Sequence, residues 1–376
     1  MTTASSADSP SRKSRPSLRN LAKQLQVSHT TVNMGLKEDP RISPALREKI
    51  RRTAKQQGYF PNDLATVLRT GRTRLIGCIV PVINSAYISG FLESAMGGLW
   101  EAGYFPITLC SHLDPRNEAK MLESLARLRV EGMLIMPSRE DRGKRHFAEL
   151  LRDHIPIVAI NNPIPKLELP LVASDDAAGA ETATRHLISL GHCRILHIGA
   201  PHESRYSDLR REQGYRRAMT AAGLVPTVLY YEDRLQARLP LAALKMELLQ
   251  KPPAQRPTAI LCYHDNLALR LYAFCNRVRI QIPDDLSVIG FSNENWGGDA
   301  PHALDFVNPP LSTVEQNSTQ IGATAAQSLL ALIGNEQPDA SRMLIEPVFI
   351  ERESTQAPRP VGGEGSLPTG SGTASV

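Results

Sequence analysis

Polar side chains on one face of a short predicted helix, residues 28–36, form the clearest chemical pattern in the sequence. Helical spacing places Val32, Gly35 and Leu36 together on the opposite face, where they can pack inward. The outward face then holds Ser28, His29, Thr30, Asn33 and Met34. Hydroxyl, imidazole and amide groups on a helix that enters the major groove hydrogen-bond to base edges and phosphates. The pattern therefore suits contact with double-stranded DNA, and the plainer alternative is an ordinary pair of short amphipathic helices.

The sequence carries no motif that would indicate catalysis. It has no phosphate-binding loop, no GxGxxG after the first predicted strand and no GxSxG nucleophile motif. The histidines are scattered, and neither they nor the cysteines have the spacing of metal ligands. We therefore predict a protein that is not an enzyme, with no catalytic residues, no metal and no cofactor.

The charge of the chain is distributed unevenly. The formal net charge of the 376 residues is +5, but residues 1–75 hold 15 Lys and Arg against 5 Asp and Glu. That is +10 for the first fifth of the chain and −5 for the remainder. A basic N-terminal region on a slightly acidic body is typical of a nucleic-acid-binding headpiece.

The five cysteines are widely spaced and odd in number, as in reduced thiols of a cytosolic protein. The N-terminus lacks the apolar core of an export signal, and no apolar run is long enough for a membrane span. We predict a cytoplasmic protein without a membrane partner.

Three short helices are predicted to position the outward face. The first starts at Ser17, a good N-cap, and repeats apolar residues such as Leu21 and Leu25 at helical spacing. The third starts at Ser43, before a proline that suits the first helical turn. The predicted segments are a disordered basic arm (1–16), a helix-turn-helix domain (17–60) and a hinge helix or linker (61–73).

From residue 74 onward, short apolar runs alternate with amphipathic ones. LIGCIVP (75–81) and GMLIMP (132–137) are typical of the strands, and the same alternation starts again near residue 177. This order predicts an α/β fold of doubly wound parallel sheets in two subdomains, with a ligand cleft at the strand ends. The predicted segments are a core (74–355) with subdomains at about 74–161 and 162–291, crossovers near 292–325, and a disordered tail (356–376).

Eight motifs, in order along residues 17–355, resemble those of the lactose-repressor (LacI/GalR) family of bacterial transcription regulators. They are LAKQLQVSHTTV, RISPALREKI, QQGYFPN, LRTGRTRLIG, RVEGMLIMP, HLISLGHCRILHIG, IPDDLSVIGF and PPLSTVEQ. The resemblance implies a helix-turn-helix headpiece, a hinge helix and a core similar to periplasmic sugar-binding proteins. It also implies a homodimer that reads two half-sites of operator DNA.

By this resemblance, the headpiece residues expected to contact DNA are Ser17, Ser28, His29, Thr30, Thr31, Asn33 and Met34. In the hinge, the family pattern points to Asn62, Leu64, Ala65 and Leu68, with Leu68 wedged between base pairs in the minor groove. The sequence departs from the family after Val32, where Asn33 and Met34 replace the usual Ser-Arg pair. Loss of that arginine predicts an unusual operator sequence, and Met34 is a candidate for contact with a thymine methyl group.

Five core residues are candidate effector ligands by the same resemblance: Tyr87, Asn161, Arg211, Asp265 and Trp296. Each has a plainer alternative: Arg211 lies in a charged stretch with Arg205 and Arg210, and Asp265 is also suited to capping a helix at Asn266. The three arginines favour an anionic effector such as a sugar acid.

We therefore predict a transcriptional repressor that a sugar or sugar acid releases from its operator. Three alternatives differ in class: a corepressor-dependent repressor or activator, a cytosolic solute-binding protein, and an enzyme on an α/β fold. The missing export signal and the basic headpiece argue against a solute-binding protein of transport, and the missing motifs argue against an enzyme.

Overall fold

The chain divides into two compact units, and the boundary along the sequence lies between Thr73 and Arg74. The computed structural model describes residues 17–59, 71–138, 144–164, 167–201, 206–232, 238–293, 302–336 and 341–360. The predicted basic arm, most of the predicted hinge and tail residues 361–376 lie outside these ranges.

The first unit contains three helices, each capped by a serine. They are α1 (Leu18–Leu25), α2 (His29–Leu36) and α3 (Pro44–Gln56). The side-chain oxygen of Ser17 accepts from the backbone N–H of Asn20 at 3.2 Å, and Ser28 does the same for Thr31 at 3.0 Å. Since each cap satisfies an otherwise unpaired amide, the serines set where the helices begin.

A small apolar core holds these helices together. Leu21, Val32 and Ile50, one from each helix, are fully buried. Gly35 of α2 lies directly against Ile50, and a side chain there would collide with it. The close approach of α2 and α3 therefore requires glycine at this position, which fixes the orientation of α2 within the first unit.

The second unit contains two parallel sheets flanked by helices. The first sheet has the strand order β11-β5-β4-β3-β1-β2 and the second β7-β6-β8-β9. The strands of the first sheet are β1 (Leu75–Val80), β2 (Phe105–Cys110), β3 (Gly132–Ile135), β4 (Ile157–Ile160), β5 (Leu171–Ser174) and β11 (Arg342–Ile345). Those of the second are β6 (Ile195–Gly199), β7 (Thr227–Tyr230), β8 (Ala259–Cys262) and β9 (Ser287–Ile289). A separate antiparallel pair is formed by β10 (Thr313–Glu315) and β12 (Val348–Ile350).

Helices cover both faces of each sheet. On the first they are α4 (Ala86–Glu101), α5 (Pro115–Arg127), α6 (Lys144–Arg152) and α11 (Ser318–Ile333). On the second they are α7 (Asp176–Ser189), α8 (Tyr206–Ala221), α9 (Leu241–Lys245) and α10 (Asp265–Val278). The α/β fold with parallel sheets is thus confirmed. Within the described residues, no helix is long and apolar enough to cross a membrane.

The first subdomain extends beyond the segment 74–161 expected from the sequence. Strands β5 and β11 both belong to its sheet, and α11 packs on the same sheet. The chain therefore passes between the subdomains three times, after Ser174, between β10 and α11, and between β11 and β12. Neither strand was expected from the sequence, and β11 keeps two of its four side chains exposed, which interrupts its apolar run.

Two predicted element limits differ from those observed. The amphipathic run at 238–250 predicts a helix, but the helix begins only at Leu241, because the proline at 240 keeps the preceding residues extended, and it continues as a π-helical turn through Gln250. The tail expected from 356 begins later. Ser354 is fully buried with its hydroxyl donating to Val288 O at 2.6 Å, and Arg359 pairs with Asp284 at 2.9 Å.

Candidate DNA-binding surface and ligand cleft

The exposed face of α2 carries most of the headpiece residues expected to contact DNA. Ser28, His29, Thr30 and Asn33 are exposed, whereas Ser17, Thr31 and Met34 are half-buried. Ser28 and Thr31 also bond to one another through their hydroxyl oxygens at 2.8 Å. Ser28 therefore acts first as the N-cap of α2, and the other exposed side chains are free to meet base edges.

The first unit also exposes many basic residues. Several arginines are paired with acids, as in the contact of Arg51 with Glu38 at 2.8 Å and that of Arg41 with Asp39 at 2.7 Å. Six others are exposed and form no ion pair with any described residue: Arg19, Lys23, Lys37, Lys49, Arg52 and Lys55. These six supply positive charge of the kind that binds phosphates independently of base sequence.

The hinge residues named from the sequence, and Trp296 of the core, cannot be placed in the same way. Asn62, Leu64, Ala65, Leu68 and Trp296 lie outside the described residues.

In the core, three of the other four effector candidates lie just after a strand or in the first turn of the helix that follows, and Arg211 lies in the second turn of α8. Tyr87 lies in the first turn of α4, and its hydroxyl donates to Asn161 Oδ1 at 2.7 Å. Asn161 directly follows β4 and has a positive φ of 61°. Burial, reinforced by the carboxylate of Asp176, raises the pKa of Tyr87, so that the hydroxyl keeps its proton and acts as a donor.

Arg211 of α8 is held in a buried ion pair. Its Nε lies 3.0 Å from Asp176 Oδ2, and its Nη1 donates to the carbonyl oxygen of Tyr263 at 2.5 Å. The guanidinium also stacks on the ring of Phe291, 4.1 Å from its centroid. Arg211 and Asp176 are 6% and 2% exposed, so their charges neutralise each other inside the protein.

This pairing removes the main reason for expecting an anionic effector. Arg210 is likewise engaged, with Nη2 3.0 Å from Asp175 Oδ1. Arg205 lies outside the described residues. Spacing along the chain could not reveal either pair, because Asp175 and Asp176 precede the two arginines by 35 residues.

Asp265 is 1% exposed and accepts a hydrogen bond from the hydroxyl of Thr313 at 2.6 Å. It does not cap α10. That cap is His264, whose Nδ1 accepts from the backbone N–H of Leu267 at 3.0 Å. Asp265 therefore ties the second sheet to strand β10, where the chain returns towards the first subdomain.

The sequence did not indicate that Gln316, Asp176 and Ser292 belong to this network. Gln316 donates from Nε2 to Asp176 Oδ1 at 2.8 Å and accepts from the hydroxyl of Ser292 at 3.0 Å. Gln316 lies in the crossover between β10 and α11, and Asp176 begins α7, directly after the crossover that follows β5. A chain of side chains from Ser292 to Arg211 thus joins two crossovers to the second subdomain. The only sequence signal was the position of Gln316 at the end of PPLSTVEQ.

A cavity of about 470 Å³ opens beside Tyr87, between residues of both subdomains and the β10–α11 crossover. Its lining includes Asn84, Ser85, Ser89, Glu93, Ser292, Asn293, His302, Glu315, Ser318 and Thr319. The volume suits a small ligand, and the hydroxyl and amide groups suit a polyhydroxylated one.

Comparisons with known proteins agree with this architecture. The profile of a periplasmic binding protein-like domain matches residues 184–355. The chain is 29% identical to the HTH-type transcriptional repressor CytR of Escherichia coli (strain K12) over 341 residues, which cover 90% of this chain and 96% of CytR. Among solved structures, the lac repressor dimer bound to operator and the anti-inducer ONPF aligns with a TM-score of 0.78. It covers 91% of this chain and 99% of that one at 21% identity. A CelR–cellobiose complex aligns with a TM-score of 0.65 at 24% identity, covering 90% of this chain and 100% of that one.

A helix-turn-helix headpiece joined to a periplasmic-binding-protein-like core defines the class of the protein, a DNA-binding transcriptional regulator. Its homologues are regulators of the lactose-repressor (LacI/GalR) family, and the family resemblance of the sequence is thus confirmed.

Proposed function

We propose that this protein is a homodimeric repressor whose affinity for operator DNA is controlled by a carbohydrate bound in the core. The proposed DNA binding rests on the exposed face of α2 and on the six exposed basic residues of the first unit. The proposed carbohydrate binding is supported by the polar cavity beside Tyr87. CelR, a regulator of similar fold, has been solved in complex with cellobiose.

The observation that carries the proposal is the hydrogen-bonded chain from Ser292 through Gln316 and Asp176 to Arg211. Gln316 belongs to one crossover and Asp176 begins α7 directly after another, so we expect a change in the angle between the subdomains to act on this chain of side chains. A ligand that prefers one arrangement therefore shifts the balance between two states of the core. Coupling of this kind to DNA binding is a free-energy difference and is reciprocal.

Within this proposal the candidate residues have different roles. Tyr87 and Asn161 contact the effector, whereas Arg211 and Asp265 position the parts of the core on either side of it. In the hinge, Leu68 enters the minor groove, with Asn62, Leu64 and Ala65 around it, as the family resemblance implies. Trp296 is an additional candidate for stacking on a sugar ring.

The test starts from an operator obtained by selection from random DNA with the full-length protein. The dissociation constant for that DNA is then measured with and without each member of a panel of neutral, acidic and amino sugars. We expect at least one sugar to weaken binding. Stronger binding with the sugar would instead assign a corepressor, and an absence of DNA binding under every condition would overturn the proposal.

A matched pair of variants links the response to the core. Arg211→Lys keeps the charge but loses the planar contacts with Asp176 and Tyr263, so it should reduce the response to the sugar and leave sugar-free DNA binding intact. Arg185→Lys is the control, because Arg185 pairs with Glu181 on the exposed surface of α7 at 2.6 Å. Equal responses in the two variants would argue against the role of the buried pair.

A further inference from the structure

The cavity beside Tyr87 has a negatively charged lining. Its two charged members are Glu93 of α4 and Glu315 of β10, and no described Lys or Arg lines it.

The hydrogen bonds to the carboxylate of Glu315 come from neutral groups. Its Oε2 accepts from Asn293 Nδ2 at 2.5 Å, and its Oε1 accepts from the backbone N–H of Asn317 at 3.2 Å. Amide donors hold the carboxylate in place without cancelling its charge. Glu93 is exposed and forms no ion pair with any residue that the structure describes. Among the residues that the structure describes, the cavity therefore presents two carboxylates that form no ion pair.

The other described charges near the cavity are paired: Arg352, which donates from Nη2 to Asn293 Oδ1 at 3.2 Å, forms an ion pair through Nε with Asp305 at 2.5 Å. The two ring nitrogens of His302 are engaged with the backbone, Nε2 with Asn293 O at 3.0 Å and Nδ1 with Leu304 N at 3.3 Å. Arg211 is neutralised by Asp176. The other lining groups are hydroxyls and amides, which bind hydroxylated ligands without selecting for charge.

We propose that the ligand of this cleft carries a protonated amine on a polyhydroxylated frame, as an amino sugar does, with the amine bound by Glu93 and Glu315. The inference rests on the proposed function, since it concerns the effector of the same cleft. It reverses the expectation of an anionic effector, because a carboxylate or phosphate would face repulsion from both acids.

Three probes that share one carbon skeleton test the charge preference: D-glucosamine, D-glucose and D-gluconate. Binding to the full-length protein is measured by calorimetry and by the rise in Tm. We expect glucosamine to bind most tightly and gluconate most weakly. Binding of gluconate as tight as that of glucosamine, or no binding of glucosamine up to its solubility limit, overturns the inference.

Variants identify the carboxylates responsible. Glu93→Gln and Glu315→Gln keep the shape of the side chain and should each weaken glucosamine about two- to fivefold, the range of a partly exposed ion pair, while glucose binding stays the same. Glu101→Gln, an exposed residue at the far end of the same helix, is the control and should change neither. Unchanged glucosamine binding in both cavity variants overturns the inference.

Operator affinity measured in the same samples separates the two proposals. If glucosamine binds and loses affinity in the cavity variants but no sugar alters DNA binding, the charge preference stands and the proposed repressor mechanism fails. If gluconate is the probe that alters DNA binding, the repressor mechanism stands and the charge preference fails.

Discussion

The buried histidine of strand β6 should make the stability of the core depend on pH. His197 is fully buried, its Nδ1 donates to Leu261 O at 2.9 Å, and its ring stacks on Tyr215 with centroids 5.2 Å apart. Its Nε2 has no hydrogen-bond partner within the described structure. Burial lowers the pKa of His197 from 6.5 to about 4, since a charged imidazolium there would be poorly solvated.

The sign and size of the effect follow from proton linkage. The unfolded chain binds a proton near pH 6.5, and the folded one does so only near pH 4, so the unfolded state holds more protons in between. The stabilising contribution is fully present above the unfolded pKa and is lost as pH falls through the folded pKa. A difference of about 2.5 units at 1.36 kcal/mol per unit amounts to about 3 kcal/mol, of which about 2 kcal/mol is lost by pH 5.

The assay is urea unfolding of the full-length protein by circular dichroism, at pH values from about 7 to about 5. His197→Phe keeps a stacking ring but cannot take up a proton, so it should lose about 2 kcal/mol less than wild type over this range. Burial also lowers the pKa of His186 and His192, but these residues are present in both proteins and cancel in the comparison. The exposed His112 provides the control variant His112→Gln, which should behave as wild type. A variant His197→Phe with the wild-type pH dependence would refute the reasoning.

Three further substitutions test the packing and the caps. Ser28→Ala removes the N-cap of α2 and should cost about 1 kcal/mol of headpiece stability. The loss is measured by thermal melting of the helical circular dichroism signal at 222 nm, and an unchanged stability would contradict the capping role. Gly214→Ala places a methyl group against the backbone oxygen of Ala177, where α8 crosses α7, and should destabilise the core by about 1–3 kcal/mol in urea, whereas Gly97→Ala meets no atom within 4 Å and should be neutral or slightly stabilising. Asp176→Asn breaks the pair with Arg211 and should cost about 3–5 kcal/mol in the same assay, because a buried cation loses its partner; a change below 1 kcal/mol would mean that solvent reaches the pair.

Local sequence patterns predicted most of the secondary structure. Serine caps, proline at first helical positions and apolar runs bounded by polar loops predicted the headpiece helices and the strands β1 to β4 and β6 to β9. These features act over a few residues, so a single sequence displays them. The family motifs then supplied the order of the domains, which short-range patterns alone leave open.

The parts that sequence patterns missed are those created by distant segments. Strand β11 pairs with β5 across about 170 residues, and Gln316 bonds to Asp176 across 140. Arg211 could be recognised as a candidate ligand, but Asp176, which folding places beside it, offsets its positive charge. The expectation of an anionic effector counted the arginines without the acids that the fold brings to two of them, and the charge of the effector stays a prediction.

The same long-range contacts explain how one ligand could influence the whole core. Asp175 N donates to Ile345 O at 2.9 Å, Gln316 bonds to Asp176, and Asn317 Nδ2 donates to Glu346 O at 2.8 Å. Each bond joins a different pair of the three crossovers, so none of them can bend without moving the other two. A ligand that contacts Tyr87 and Ser292 on either side of this joint therefore acts on all three crossovers together, which favours two discrete arrangements of the subdomains over a continuous range.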